Sequence, residues 1–166
     1  MHSGKAGGFT LVELMIVLVL LGIIATIAVP NFTGLIRDNQ VLAQAEELNS
    51  LMQYARSESV IRRRTISVNL DTTQRQASVV IPGPGEEPDT SLRTASFTGS
   101  NNISFASSHP QITYRPNGTS TVGNYRATFC RDSSAETGYL LTVVGSGRTI
   151  LHPKGRNENG ASLGGC

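Results

Sequence analysis

From Phe9 to Val29 the chain runs for 21 residues with a single charged side chain, Glu13. At 1.5 Å of rise per residue, that is roughly 31 Å of α-helix, about one hydrocarbon core. The run therefore predicts a membrane span or an element surrounded by other apolar surface. A carboxylate inside it costs on the order of a few kcal/mol and needs a partner, which makes Glu13 the first candidate functional residue. The head before the run carries one formal charge, Lys5, and ends in Gly7-Gly8.

Two simpler origins compete for this segment. A secretory signal peptide has a basic head, a shorter apolar stretch and a small-residue cleavage site, and Ala25-Thr26-Ile27-Ala28 fits such a site. Signal peptides rarely hold an acid early in the apolar run, however, and a plain anchor leaves Glu13 unexplained. The stretch Gly7-Gly8-Phe9-Thr10-Leu11-Val12-Glu13-Leu14 resembles the N-terminus of a type IV prepilin. The resemblance implies that prepilin peptidase cuts between Gly8 and Phe9 and that Phe9 is N-methylated, which keeps its amine cationic. It also implies that Glu13 pairs with the α-amino group of a neighbouring subunit. A subunit in the wrong axial register leaves that carboxylate buried and unpaired, so Glu13 acts as a register check.

Composition is compatible with one domain plus an anchor. Of 166 residues, removal of eight leaves 158 and takes away Lys5 but no acid, so 13 basic side chains face 12 acidic ones. Such a balance exerts no global pull toward nucleic acid or anionic lipid. Cys130 and Cys166 both fall in the part that the resemblance places in the periplasm. With no CxxC and no histidine cluster, they read as one disulfide. Closing a loop of about 36 residues contributes roughly 3–4 kcal/mol in the chain-entropy account.

The apolar run continues past Pro30 as an amphipathic pattern. Phe32, Leu35, Leu42, Ala45, Leu48, Met52 and Ala55 recur at helical spacing, with Gln40, Gln44, Glu47 and Arg56 largely off that stripe. This predicts one helix from Phe9 to about Ile61, kinked or locally opened at Pro30 with slack from Gly34. Beyond it, alternation predicts strands over 65–70, 77–81, 91–98, 103–105, 112–115, 125–130, 139–144 and 149–152. Asn117-Gly118 reads as a two-residue hairpin turn and Gly145-Ser146-Gly147 as the join of the last two strands. The tail from Lys154 is rich in Gly and Asn and looks loose without Cys166. The expected fold is α+β, a long N-terminal helix packed on a head of antiparallel strands. Its segments are a leader (1–8), a transmembrane or filament-core helix (9–29), an amphipathic continuation (30–62) and a β-rich periplasmic head (63–166).

Beyond the N-terminus the resemblance narrows to the FimT/FimU and GspH group of minor pilins and pseudopilins. It is carried by Ala45-Glu46-Glu47-Leu48-Asn49, Tyr54-Ala55-Arg56-Ser57-Glu58, the strand at 66–70 and Ile112-Thr113-Tyr114-Arg115-Pro116-Asn117-Gly118. Phe129-Cys130-Arg131 and Cys166 resemble the FimU type most. The resemblance implies a pilin-like fold and a low-copy subunit that primes type IV pilus assembly in the inner membrane and then sits at or near the tip. It implies minor and major pilins, inner-membrane assembly machinery, prepilin peptidase and inner-membrane lipid as partners. A GspH-type secretion pseudopilin shares the same anchor and fold.

Some members of the group bind DNA through a basic Gly-Arg-x-Arg loop. Here the matching residues are Gly155-Arg156-Asn157-Glu158, with an acid in the second arginine's place. Arg148, Lys154 and Arg156 remain as candidate DNA contacts, and two or three phosphate contacts imply weak, salt-sensitive binding. Arg62-Arg63-Arg64 is a second basic run, placed where cations favour a helix C-terminus. No HExxH, Gly-x-Ser-x-Gly, phosphate loop or CxxC occurs. No catalytic role, cofactor or metal is expected.

Overall fold

The computed structural model describes residues 10–85, 87–97 and 103–166, with 30 and 31 as backbone alone. Helix α1 (Leu11–Ile61) leads into β1 (Ile66–Asp71), β2 (Gln76–Ile81), β3 (Thr90–Ser96) and β4 (Ile103–Ser107). Strands β5 (Gln111–Tyr114), β6 (Asn124–Arg131), β7 (Tyr139–Val144) and β8 (Thr149–Leu151) follow, with a turn of 3-10 helix at Ala135–Thr137 ahead of β7. The chain divides into two compact units, Met1–Ile36 and Arg37–Cys166, and α1 contributes to both.

In the first unit the apolar side chains between Leu11 and Val29 are exposed. A helix that is apolar all round has no face to turn to water, so its partners are lipid or other chains. The stretch is long and apolar enough to cross a membrane. Thr10 closes the start: its Oγ1 accepts from the Glu13 N–H at 3.2 Å, and its carbonyl accepts from Leu14 N–H. The helix thus begins one residue after a threonine N-cap. The expected start at Phe9 lies outside the described residues. Helical backbone runs on through residue 30.

In the second unit, residues 37–61 of α1 bury Val41, Ala45, Leu48, Leu51, Met52 and Ala55 completely. These positions recur at three- and four-residue spacing and pack against Ile66, Val68, Ile112, Tyr114, Tyr125, Phe129 and Val143. Two expectations fail here. Gln44 is buried rather than solvated, because it lies between Val41 and Leu48 on the same stripe, and its Oε1 accepts from Arg75 Nη2 at 3.1 Å. Phe32 and Leu35, expected on the buried stripe, are exposed.

Among the described residues the strands form two four-stranded sheets in the orders β3-β2-β1-β5 and β4-β6-β7-β8, and every pairing is antiparallel. Phe97, Phe105 and Phe129 make one aromatic cluster, with ring centroids 4.6–5.2 Å apart. The observed strand ends differ from the expected ones by a residue or two. The expected strand over 91–98 ends at Ser96, and Thr98 lies outside the described residues, as does Glu86 in the loop before it.

The turn at Asn117-Gly118 is not the two-residue type expected. Gly118 N–H donates to Arg115 O, Arg115 N–H donates to Thr119 O, and only Gly118 has positive φ, at 77°. Pro116 and Asn117 are therefore the central turn residues, and Gly118 occupies a left-handed bulge position after them. Proline at 116 holds φ negative, which rules out the mirror-image turn at that place.

The disulfide Cys130–Cys166 forms, with the Cα atoms 6.1 Å apart. The tail before Cys166 is held by more than that bond. Gly155 N–H donates to Gly138 O, Leu163 N–H donates to Gly155 O, and Leu163 is buried against Cys130 and Leu140. Asn157 Oδ1 caps the small turn at 157–161 by accepting from Asn159 and Ala161 N–H.

Candidate functional site

The N-terminal residues expected to be processed, Gly8 and Phe9, lie outside the described residues. Glu13 stands in the first turn of α1 and is exposed. Thr10 and Glu13 have the Thr-x-x-Glu spacing of a capping box, and the threonine half of that box is formed. The acid is therefore compatible with its own helix terminus, where the dipole favours negative charge. This role of Thr10 was legible in the spacing but overshadowed by the family pattern.

Three charged side chains that sequence separation hides meet at Asp38. Arg131 Nη1 lies 2.6 Å from Asp38 Oδ1, and Lys154 Nζ lies 2.5 Å from Asp38 Oδ2. One carboxylate on the helix thus ties down the end of β6, next to the disulfide, and the start of the tail. All three are partly exposed, so the pairs act as a positional tie more than as a large energetic one.

Arg56 makes a second tie. Its Nε donates to Gly118 O at 3.1 Å and its Nη2 donates to Ser146 O at 3.1 Å. The two acceptors sit on two turns of one design: Val144, Gly147 and Arg148 repeat the bonds of Arg115, Gly118 and Thr119. Gly147 has φ 79°, and a Cβ there would stand 1.9 Å from Gly118 O, so no other residue lets the turns approach this closely. Nearby, the Tyr114 hydroxyl and Thr149 Oγ1 lie next to each other, both shut off from solvent. Burial pushes the Tyr114 phenol up to about 12. Arg56 was expected on a solvated face; it is half-buried because both turns fold over it.

The candidate DNA contacts do not form one patch. Lys154 is engaged with Asp38, while Arg148 shares a cavity with Arg56. Positions 38 and 56 are 18 residues apart on the helix, about 27 Å. Arg156 Nη1 donates to Gly160 O at 3.1 Å within its own turn, and Glu158 pairs with Arg126 at 2.9 Å. Of the Arg62-Arg63-Arg64 run, Arg62 pairs with Glu58, a bond that raises its pKa. His152 bonds Thr142 Oγ1 at 2.9 Å, and its pKa lies below the usual value, chiefly because burial disfavours the cation.

Residues 44–147 match the family model of the type II transport protein GspH, and residues 4–29 match the prokaryotic N-terminal methylation motif. The type IV minor pilin FimU of Pseudomonas aeruginosa is similar in structure, with 26% identity and a TM-score of 0.62 over 69% of this chain and 90% of that one. The minor pseudopilin EpsH from the type 2 secretion system of Vibrio cholerae has 10% identity and a TM-score of 0.55 over 68% of this chain and 96% of that one, a likeness of fold. No curated protein sequence matches the chain significantly.

Proposed function

Since the chain belongs to the GspH family of pilins and pseudopilins, we propose that it is a minor pilin of the type IV pilus that helps initiate assembly and stays at or near the tip. The observation that carries this reading is the combination of the methylation motif with a FimU-like head at 26% identity, against 10% for the secretion pseudopilin. Prepilin peptidase cuts after Gly8, Phe9 receives the methyl group, and Glu13 pairs with a neighbouring subunit's amine. Pro30 bends the helix between its membrane and head-bound parts. The subunit is anchored in the inner membrane with its head in the periplasm before it enters a filament of major and minor pilins. Its role is structural.

Deletion of the gene, with a complemented strain as control, tests this by counting surface pili in electron micrographs. A sharp loss restored by complementation supports an assembly role. Normal piliation sinks it and directs attention to secretion, the second reading, which the family model's own description favours. The nucleic-acid reading draws less support, since Arg148, Lys154 and Arg156 are dispersed and two of them are engaged.

A further inference from the structure

The Arg56 clasp borders a groove that the fold itself does not fill. One part, a cavity of about 330 Å³, is lined by Gln53, Arg56, Ser57, Gly147, Arg148 and Thr149. A second, of about 380 Å³, shares Arg56 and Ser57 and adds Val60, Ile61, Asn117 and Gly118. The two parts adjoin at Arg56 and Ser57, which line both. The first is polar and cationic. Arg148 has no side-chain partner among the described residues, and Arg56 Nη1 has no acceptor among them. No acid among the described residues lines either part, and Glu58 is held by Arg62. The second part is apolar, with Val60 exposed by 48% and Ile61 by 74%.

We propose that this groove receives an acidic and apolar segment of another pilin subunit, with a carboxylate between Arg56 and Arg148 and an apolar side chain against Val60 and Ile61. Arg148 offers the fork geometry that a carboxylate accepts, and Arg56 adds its remaining Nη1 donor, since its Nε and Nη2 are held by the turn carbonyls. Withdrawing Val60 and Ile61 from water adds the non-directional part of the affinity. A single-stranded nucleic acid fits less well: no aromatic side chain lines the groove to stack a base, and two cations neutralise few phosphates. The inference deepens the assembly reading and rests on it.

The test is a photoreactive residue in place of Gln53, in the full chain, in irradiated cells carrying the complete filament machinery. A second strain carries it at Glu46, which is exposed and outside the groove. Sequencing of the adduct from the Gln53 strain is expected to return a peptide of another pilin subunit containing Asp or Glu. Arg148→Glu and Ile61→Ser are each expected to lower its yield at least about five-fold at equal protein level, with the Glu46 adducts unchanged. Both substitutions alter exposed side chains, so the head stays folded. No adduct at Gln53, an adduct indifferent to Arg148→Glu, or an adduct with nucleic acid would overturn the proposal. The outcome is separable from that of the deletion strain: normal piliation on deletion removes the pilus role, whereas loss of pili with an indifferent adduct removes only the groove.

Discussion

Glu13 and His152 each carry a consequence in their charge or protonation. Glu13 stands beside a threonine cap in a helix with exposed apolar sides, and no cation among the described residues pairs with it. Glu13→Gln keeps the hydrogen-bonding shape and removes the charge. It is expected to leave membrane insertion intact and to deplete the subunit from sheared filaments, read by immunoblot of membrane and filament fractions; normal recovery in filaments would refute the register role. For His152 the folded pKa lies below the unfolded value of about 6.5. The neutral form is therefore favoured by folding, and its contribution is fully present above about pH 6.5 and lost as pH falls through the lowered folded value. Thermal unfolding of the purified chain should show a fall in Tm between pH 7.5 and 5.5, and His152→Gln should flatten it while retaining a partner for Thr142.

At the scale of elements, α1 ends in a Schellman arrangement with an unusual residue. Arg64 N–H donates to Ser59 O and Arg63 N–H to Val60 O, while Arg63 adopts φ 50°. That position ordinarily belongs to glycine, since a Cβ there is strained. Arg63→Gly is expected to raise stability by about 0.5–1 kcal/mol, visible as a higher midpoint in denaturant with an unchanged slope. The basic run was legible as a helix end; that its middle arginine bends left-handed was not, because composition carries no φ. The Asn117-Gly118 turn teaches the same lesson: the Asn-Gly pair pointed to one turn type, and the preceding Pro116 decided another.

On the scale of the molecule, long-range ties hold residues 37–61 of α1 to both sheets. Arg56 reaches the turn after β5 and the turn before β8. Arg56→Ala leaves two carbonyls without their charged donor and is expected to cost about 2 kcal/mol, lowering Tm on the order of 5–10 °C. Cys166→Ser opens a loop with a sequence separation of 36 and is expected to cost roughly 3–4 kcal/mol. Because Leu163, Gly155 and Asn157 hold the tail independently, the signature of that variant is a lowered unfolding midpoint with the native near-ultraviolet circular dichroism retained.

The order of elements, the disulfide and the apolar N-terminal helix were readable in the chain, because each rests on local periodicity, turn chemistry or a residue count that one segment or pair supplies. Tertiary structure alone decided which side of residues 37–61 is buried, admitting Gln44 and half-burying Arg56. It also brought Asp38 to Arg131 and Lys154, and Arg56 to Gly118 and Ser146. Those contacts join residues 62 to 116 positions apart. Their formation depends on strand order and sheet closure, a free-energy balance of the whole head that no single window of sequence contains.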